Sequence, residues 1–382
     1  MGNMKEAMAL HSADNLGLIV MESARELGRG IDDWLHQTGR FDAPSYIVQT
    51  TFSRFGTGEG KVRLNESVRG RDIFILTDVC NYSVTFKMRG VNMPMTPDEH
   101  YMDIKRAISA ISGKANRVSV IMPYLYGGRQ HKRTGRESLD AALMLRELTA
   151  LGVGNIFTFD AHDPRVENAI PFHGFDNLMP TYQMIKGLFH IEGLGDVHDC
   201  VVVSPDEGAV TRNLVYANAL GLDFGTFYKQ RDLRHVVNGK NPITKHEYMG
   251  PSVAGRPVIV TDDVLASGES LLSVARELRE RGASQVVLIV TFPQFTEGLD
   301  AYRKAYADGM ITKVLSTNLT YRPPELLNAP WYMDIDLSKY LALIISSVHQ
   351  DTSINRLLNP TLKIAELLSN NGYYEKHPKI TE

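Results

Sequence analysis

Cysteine is scarce in this sequence: Cys80 and Cys200 are the two among 382 residues. Two cysteines so far apart form neither a disulfide framework nor a CxxC metal site. Such low usage is typical of proteins that work in a reducing compartment. We therefore predict a cytoplasmic protein.

A strong excess of one charge is also missing. Lys and Arg number 41 against 44 Asp and Glu, which gives a formal net charge of -3. This balance provides no overall attraction to nucleic acid or to an anionic membrane surface, so neither is expected as a partner. Any anion site has to be built locally.

Long hydrophobic runs are missing as well. The longest apolar stretch, "YLALIISSV" (340–348), has about half the length that a bilayer-spanning helix needs. Near the N-terminus, "LGLIVM" (16–21) is too short for the core of a signal peptide. We expect no membrane-embedded segment.

Short apolar runs rich in β-branched residues do recur, and helical patterns separate many of them. Such alternation indicates parallel sheets covered on both faces, and hence an α/β fold. The length suggests two domains. We predict an N-terminal extension over 1–44, α/β domains over 45–182 and 183–343, and a C-terminal helix and tail over 344–382 that packs on the first domain. The apolar runs are "DIFIL" (72–76), "VSVIM" (118–122), "NIFTF" (155–159), "CVVVS" (200–204), "PVIVT" (257–261), "VVLIV" (286–290) and "KVLST" (313–317).

The stretch "VIVTDDVLASGES" (258–270) places Asp262 and Asp263 at the carboxyl end of an apolar run. In a parallel sheet, ligands bind beyond the carboxyl ends of the strands. Carboxylates accept hydrogen bonds from sugar hydroxyls and also bind divalent cations. An isolated aspartate pair is more often a solvated turn, but the strand before it and the turn after it favour a binding site.

A small, hydroxyl-rich turn follows the pair and leads into a predicted helix: Ala266, Ser267, Gly268, Glu269 and Ser270. A helix N-terminus presents free N–H groups and the positive end of the helix dipole, and a glycine lets the backbone approach a ligand closely. We therefore predict a sugar-phosphate site, with hydroxyls on the aspartates and the phosphate on this turn.

The same stretch resembles the phosphoribosyl-pyrophosphate motif of type I phosphoribosyltransferases and their relatives. Seven blocks between about 45 and 358 resemble, in the same order, those of one such relative, the ribose-phosphate pyrophosphokinase family. The blocks are "GEGKVRLNESVRGRDIFIL" (58–76), "MPYLYGGRQHKR" (122–133), "TFDAHDP" (158–164), "FDNL" (175–178), "VVVSPDEGAVTR" (201–212), "YKQR" (228–231) and "VLSTNLTYRPPE" (314–325).

This resemblance implies two tandem type I phosphoribosyltransferase-like domains, each a mostly parallel sheet flanked by helices. It implies an enzyme that transfers the pyrophosphoryl group of ATP to the anomeric hydroxyl of ribose 5-phosphate, giving phosphoribosyl pyrophosphate and AMP. ATP would bind on the side of the first domain and ribose 5-phosphate on that of the second. Mg²⁺, or Mn²⁺, is the implied cofactor, and the implied assembly is a dimer-based homo-oligomer, expected to be a hexamer.

In the second domain, the matching positions imply catalytic roles for Lys229 and Arg231, on a basic stretch (229–250) that reads as a polar loop. Both would stabilise the charge of the transition state, with Lys229 as the main catalytic residue. Asp206 would bind the metal ion together with His162 of the first domain.

In the first domain, the resemblance implies that Phe55 stacks on the adenine ring and that Glu59 accepts a hydrogen bond from its amino group. Arg129 and Gln130 would contact ATP, with Arg129 on the phosphates. All four residues belong to the implied ATP site.

The chain departs from the family pattern in three places. Thr57 stands where the family has Asp, and its hydroxyl can still hydrogen-bond, so we include it in the ATP site. His131 stands where the family usually has Asp, which alters the charge near the phosphates. The segment between Cys80 and the predicted helix near residue 100 is longer than the usual link.

Three alternatives compete with this interpretation. A phosphoribosyltransferase would share 257–283 but has no need of "RQHKR" (129–133) or of a duplicated α/β unit. A catalytically silent, regulatory subunit predicts damage at Lys229, Arg231, His162 or the aspartate pair, and none is damaged. A sugar-phosphate binding module leaves the Lys and Arg residues of the basic stretch without a role.

Overall fold

The computed structural model describes residues 15–37, 44–194, 196–231 and 243–372, with only the backbone for 229–231 and 243–246. The chain divides into two compact units, each described by itself below. The first contains the residues up to Met179 together with Asn318–Tyr321 and Asp336–Asn359. The second contains Pro180–Thr317, Arg322–Ile335 and the residues from Pro360 onward.

The helices and strands alternate along most of the chain. The strands are β1 (Leu16–Val20), β2 (Thr50–Arg54), β3 (Gly60–Leu64), β4 (Asp72–Leu76), β5 (Thr85–Met88), β6 (Val91–Pro94), β7 (Arg117–Ile121), β8 (Asn155–Phe159), β9 (Gly174–Leu178), β10 (Val201–Ser204), β11 (Asp223–Arg231), β12 (Ile243–Met249), β13 (Pro257–Leu265), β14 (Gln285–Pro293), β15 (Lys313–Thr317) and β16 (Tyr332–Ile335). The helices are α1 (Arg25–Gln37), α2 (Pro97–Ile111), α3 (Asp140–Ala150), α4 (Thr181–Leu188), α5 (Val210–Leu220), α6 (Glu269–Glu280), α7 (Asp300–Ala307), α8 (Pro324–Leu327), α9 (Ser338–His349), α10 (Asn355–Leu358) and α11 (Thr361–Asn370).

A parallel sheet forms the centre of the first unit. In the described residues its strands run in the order β1-β4-β7-β8-β9, and every neighbouring pair is parallel. All five residues of β4 are buried, as expected for a strand covered on both faces, and its sequence is accordingly apolar with little alternation. Two antiparallel hairpins, β2–β3 and β5–β6, belong to the same unit.

The first 44 residues were predicted to be an extension, but part of them belongs to the sheet. Leu16–Val20 forms the edge strand β1 and pairs with β4 along its full length. Helix α1 follows and packs against α9, where the ammonium of Lys339 lies 4.5 Å from the ring centre of Trp34. Because β1 is apolar on both faces, its sequence is that of a sheet strand.

A larger sheet forms the centre of the second unit. In the described residues its order is β12-β11-β10-β13-β14-β15-β16, and the β11–β12 pair alone is antiparallel. Val258, Val260 and Leu288 are completely buried among the helices that cover this sheet. The predicted α/β class, with two tandem and mostly parallel sheets, is confirmed.

The basic stretch 229–250 was predicted to be a loop, and the structure corrects this in part. Its two ends lie in β11 and β12, and residues 232–242 lie outside the described part of the chain. Polar residues are compatible with strands here because β12 is an edge strand that has a neighbour on one side only.

Candidate active site

Two aspartates and one arginine form a charged cluster in the second unit. Asp262 and Asp263 lie in β13, whose pairing with β10 ends at Val260 while its pairing with β14 continues to Leu265. The strand is therefore longer than the predicted apolar run, and the aspartates extend beyond the end of β10. Nη1 of Arg212, from α5, lies 3.6 Å from an oxygen of Asp262 and 3.9 Å from an oxygen of Asp263.

The charge of Asp262 is unfavourable in this position. Burial and the neighbouring carboxylate of Asp263 hold the pKa of Asp262 well above its usual range, Arg212 offsets part of this increase, and Asp206 adds to it. The side chains of Asp262 and Asp263 are 25% and 7% exposed. A ligand that brings hydroxyl donors or a cation would stabilise the ionised form of the pair.

A buried amide positions Arg212. The side chain of Asn213 donates to the carbonyl of Thr261 at 2.8 Å and accepts from the Thr261 N–H at 3.0 Å. This two-point contact fastens the first turn of α5 to β13 immediately before the aspartates. Arg212 and Asn213 were not among the predicted site residues, although Arg212 closes the block "VVVSPDEGAVTR".

The turn between β13 and α6 contains the remaining predicted ribose 5-phosphate residues, from Ala266 to Ser270. Gly268 precedes the helix with a φ of +77°, a left-handed conformation that favours glycine. A Cβ at this position would lie 2.5 Å from the ring of Tyr302. The Tyr302 hydroxyl donates to the carbonyl of Gly268 at 3.1 Å, and the buried ring packs against the turn.

Asp206 lies in the loop after β10. Its Oδ1 accepts from the N–H of Ala209 at 3.2 Å, and its carbonyl accepts from the hydroxyl of Ser204 at 2.7 Å. Its carboxylate is near enough to Asp262 to raise the pKa of that residue. The second unit thus brings Asp206 together with the aspartate pair and Arg212.

The predicted catalytic residues, Lys229 and Arg231, are described by their backbone only. β11 pairs with β10 in parallel from Asp223↔Val201 to Thr226↔Ser204. Residues 229 and 231 therefore continue past the carboxyl end of β10, at the same edge of the sheet as the aspartates. Their side chains lie outside the described residues.

In the first unit, the predicted adenine contacts share one tight turn between β2 and β3. The N–H of Phe55 donates to the carbonyl of Glu59 at 2.9 Å, and the hydroxyl of Thr57 donates to the Glu59 carboxylate at 2.8 Å. The ring of Phe55 is exposed. The turn thus presents an aromatic face beside a carboxylate that Thr57 orients.

Arg129 and Gln130 occupy a loop that precedes α3. Gly127, with a φ of +67°, turns the chain, and its carbonyl accepts from the N–H of Gln130 at 2.8 Å. The Gln130 amide donates to the carbonyl of Ser138 at 3.3 Å, whereas the Arg129 side chain is exposed.

His162 follows β8, and the unusual His131 lies beside it. Their ring centres are 5.5 Å apart, and Nε2 of His131 lies 3.3 Å from Asp163. Hydrogen bonds from Arg165 lower the pKa of Asp163 to about 2, against the effect of burial, so this carboxylate is ionised. Nδ1 of His131 is buried and has no hydrogen-bond partner among the described residues.

The predicted metal ligands are divided between the units, with His162 in the first and Asp206 in the second. Within the ranges that the structure describes, no three His, Cys, Asp or Glu side chains are grouped as metal ligands. Over the same ranges, no helix is long and apolar enough to cross a membrane.

Comparison with known proteins defines the class. Residues 16–152 match the family described as the N-terminal domain of ribose phosphate pyrophosphokinase, and residues 184–318 match the phosphoribosyl transferase domain family. The structure is similar to a phosphoribosylpyrophosphate synthetase from Mycobacterium smegmatis, with a TM-score of 0.72 at 24% identity over 88% of this chain and 99% of that one. The fold is therefore that of two tandem phosphoribosyltransferase-type domains.

Sequence similarity gives the particular family. A ribose-phosphate pyrophosphokinase from Thermosipho africanus is 30% identical over 66% of this chain and 73% of its own length. One from Vibrio vulnificus (strain YJ016) is 28% identical over 82% of this chain and 92% of its own length. The chain belongs to the ribose-phosphate pyrophosphokinase family, as its seven sequence blocks predicted.

Proposed function

We propose that the carboxyl edge of the second sheet is where this chain carries out the reaction of its family, the formation of phosphoribosyl pyrophosphate and AMP from ribose 5-phosphate and ATP. The observation that carries this assignment is the contact of Arg212 with Asp262 and Asp263, directly before the glycine turn of α6. A sugar phosphate matches both parts, because its ring hydroxyls donate to carboxylates and its phosphate accepts from N–H groups.

The aspartate pair would bind two hydroxyls of the ribose, and the turn from Ala266 to Ser270 would bind the 5-phosphate. The anomeric oxygen then attacks the β-phosphorus of ATP and loses its proton. The bond between the β-phosphorus and the oxygen bridging to the α-phosphate breaks, and AMP leaves with that oxygen. Ribose hydroxyls on ionised carboxylates also offset the electrostatic cost at Asp262.

Lys229 and Arg231 would stabilise the migrating negative charge. Phosphoryl-group transfer depends mainly on positioning and on cations around the transferred group, rather than on covalent help from the protein. The position of both residues past the end of β10 supports this role. Phe55, Thr57, Glu59, Arg129 and Gln130 would bind ATP.

Mg²⁺, or Mn²⁺, would be held in the second unit by Asp206 together with phosphate oxygens of the substrates, and His162 is the metal ligand proposed in the first unit. The donor set of the second unit fits a hard cation, because the carboxylates of Asp206, Asp262 and Asp263 lie near one another at this edge of the sheet. Few protein ligands are expected when substrate phosphates supply the others. The ion would neutralise phosphate charge.

We propose two further properties, the first from the family and the second from the family and the composition. The chain would assemble as a homo-oligomer based on dimers, which sedimentation analysis would test. It would work in the cytoplasm, in line with its low cysteine content.

Phosphorus NMR of the purified protein with ATP, Mg²⁺ and ribose 5-phosphate tests the proposal. We expect AMP and a sugar pyrophosphate ester to appear together, and only when the sugar phosphate is present. If neither appears, even with Mn²⁺ or with other nucleoside triphosphates, the chain is a silent subunit. AMP formation without the ester would instead indicate simple hydrolysis of ATP.

A further inference from the structure

The turn assigned to adenine, from Phe55 to Glu59, lies at the tip of a separate two-stranded ribbon. Strands β2 and β3 pair with each other, and among the described residues no third strand joins them. An isolated two-stranded hairpin is at best marginally stable in water. The conformation of this turn therefore depends on contacts with other elements of the first unit.

Helix α2 supports the base of the ribbon. The guanidinium of Arg54, at the end of β2, donates to the carboxylate of Asp103 at 2.7 Å, and Arg106 donates to the other oxygen of that carboxylate at 2.7 Å. A Cβ on Gly60, the first residue of β3, would collide with both guanidinium groups. These contacts fix the two strand ends that the turn joins.

The hairpin β5–β6 contacts the turn itself. The N–H of Arg89, at the tip of the hairpin, donates to the carbonyl of Gly56 at 2.9 Å. A Cβ on Gly58 would lie 2.9 Å from the sulfur of Met88, so the Met88 side chain packs directly against the backbone of the turn. A hydrogen bond and a close packing contact thus join the hairpin to two neighbouring points of the turn.

One face of β5 is directed at the ribbon. Side chains alternate along a strand, so Phe86 and Met88 lie on the same face and Lys87 lies on the other. The guanidinium of Arg54 lies 5.3 Å from the ring centre of Phe86, which adds a cation–π contact beside the turn. Phe86 and Met88 are half-buried, whereas Lys87 is exposed. The half-buried face is the one that contacts the ribbon.

The hairpin lies in the segment after Cys80 that is longer than the usual link of the family. At its base, the N–H of Met95 donates to the carbonyl of Val84 at 2.8 Å. The chain therefore enters and leaves the hairpin at neighbouring points. The hairpin is an addition to the first unit whose contacts with the turn are a feature of this chain.

We infer that the β5–β6 hairpin is a brace that orders the adenine-binding turn before ATP arrives and thereby raises the affinity for the adenine end of ATP. A binding group that is ordered in advance loses less conformational entropy when its ligand binds. Phe86, Met88 and Arg89 are then positioning residues, which act through Phe55 and Glu59. The inference rests on the proposed function of the turn.

A shortened hairpin tests the brace. Residues 85–94 are replaced by Asn-Gly, so that Val84 and Met95 flank a two-residue turn whose closing hydrogen bond already exists. We expect the KM for ATP to rise about tenfold, while kcat and the KM for ribose 5-phosphate stay within about twofold of the wild-type values. Calorimetric affinity for inorganic tripolyphosphate should not change, because the loss concerns the adenine end.

Hydrogen exchange followed by mass spectrometry measures the order of the turn without any ligand. The N–H of Phe55 donates to the carbonyl of Glu59, and the N–H of Gly58 donates to the carbonyl of Phe55, so an intact turn protects both amides. Peptides that cover residues 50–64 should exchange about fivefold faster in the shortened protein. Peptides that cover β4, in the buried sheet, should exchange as in the wild type.

Point variants give the same test if the shortened protein fails to fold. Met88→Ala removes the packing against Gly58, and Phe86→Ala removes the cation–π contact with Arg54. Each should raise the KM for ATP about threefold or more, because each removes one of the contacts that hold the turn. Lys87→Ala, on the exposed face of the same strand, is the control and should leave the KM for ATP unchanged.

The outcomes separate the order of the turn from its role in binding. Faster exchange of the ribbon together with a higher KM for ATP would support the whole inference. Faster exchange with an unchanged KM would overturn the role of the hairpin in ATP binding. Unchanged exchange, equal effects of Lys87→Ala and Met88→Ala, or an equal loss of tripolyphosphate affinity would overturn the brace.

Phe55→Ala tests the proposed function independently of the hairpin. If calorimetry shows that this variant binds ATP like the wild type, adenine does not stack on Phe55, and the proposed ATP site is wrong. If Phe55→Ala weakens ATP binding and the shortened hairpin does not, the brace alone is overturned. An inactive protein whose ribbon exchanges faster without the hairpin would contradict the proposed function but not the ordering of the turn.

Discussion

Asp262 shows how a single residue can favour binding at the expense of stability. Its raised pKa means that folding makes ionisation harder than in the unfolded chain. The contribution of such a group to stability is fully present below the unfolded pKa and is lost as the pH rises through the folded pKa. At neutral pH, an ionised Asp262 therefore lowers the free energy of unfolding, whereas a neutral amide at the same position would not.

Replacing Asp262 by Asn is thus expected to stabilise the protein and to impair binding. The melting temperature of the ligand-free protein should rise at pH 7, by roughly 2–4 °C for each kcal/mol recovered. Affinity for ribose 5-phosphate, measured by calorimetry, should fall at least tenfold. Asp300→Asn, at an exposed side chain, is the control and should change neither quantity. An unchanged affinity would remove Asp262 from the sugar site.

Arg212 is expected to set the pH at which the aspartate pair ionises. Arg212→Met removes the nearest cation and should move the acidic limb of kcat/KM to higher pH. Arg212→Lys retains the charge and should keep most of the wild-type profile. If the acidic limb of kcat/KM lies at the same pH in Arg212→Met as in the wild type, Arg212 does not influence the ionisation of the aspartate pair.

Lys229 should act mainly in the transition state. Lys229→Ala is expected to lower kcat by orders of magnitude while affinity for ribose 5-phosphate stays close to that of the wild type. Single-turnover kinetics and calorimetry measure the two quantities separately. Equal losses of rate and of sugar binding would contradict this assignment.

At the scale of elements, the turn before α6 depends on a glycine for two reasons. Gly268 combines a positive φ with the close approach of Tyr302, and Gly298 combines a similar φ of +80° with open space around its Cα. Gly298→Ala should cost about 1 kcal/mol of backbone strain and leave binding unchanged. Gly268→Ala should destabilise the protein by more than Gly298→Ala does, and it should weaken ribose 5-phosphate binding at least tenfold. Equal effects of both variants, measured by calorimetry and thermal unfolding, would show that the contact with Tyr302 is unimportant.

Elements with a strong local pattern were predictable from the sequence. The runs predicted at 72–76, 155–159 and 313–317 coincide with β4, β8 and β15, because strands buried on both faces need uninterrupted apolar residues. The helix that follows the aspartate pair was also predicted, because it begins at a glycine turn and has an apolar stripe.

Elements defined by pairing were not predictable in this way. The β5–β6 hairpin is short and exposed. Its two strands pair with each other, and its tip hydrogen-bonds to the turn at Gly56. β11 and β12 carry charged residues, and beyond Thr226, where its pairing with β10 ends, β11 continues as a strand through antiparallel pairing with β12. Arg212 has an ordinary helical sequence context, and only the contact between Asn213 and Thr261 shows why it faces the aspartates.

At the scale of the whole chain, a buried ion network joins residues that are distant in sequence but belong to the first unit. Asp72 of β4 accepts from Nε of Arg117 at 2.9 Å and lies 3.1 Å from Nδ1 of the buried His349, in α9. Arg117 also donates to Asp351 at 2.7 Å. The network connects α9 to the sheet of the first unit, whose edge strand is β1.

Burial alone would raise the pKa of Asp72, but its hydrogen bonds with Arg117 and His349 outweigh this effect and lower the pKa overall. A carboxyl group with a lowered pKa stabilises the fold above its unfolded pKa, about 3.9. The stabilisation disappears as the pH falls through the folded pKa. The network should therefore be strongest at neutral pH and absent in strong acid.

Asp72→Asn is expected to destabilise the first unit by about 3 kcal/mol at pH 7, because it leaves the partly buried Arg117 and the buried His349 without their shared carboxylate. The difference in melting temperature from the wild type should begin to shrink below about pH 4, where the carboxyl group of the unfolded chain binds a proton, and should vanish once the pH falls through the lowered pKa of the folded protein. Glu277→Gln, which removes an exposed pair with Arg281, should change stability by less than about 1 kcal/mol at every pH. If the Asp72→Asn deficit were independent of pH, its origin would lie in packing, and the ionic link between α9 and the sheet would contribute nothing.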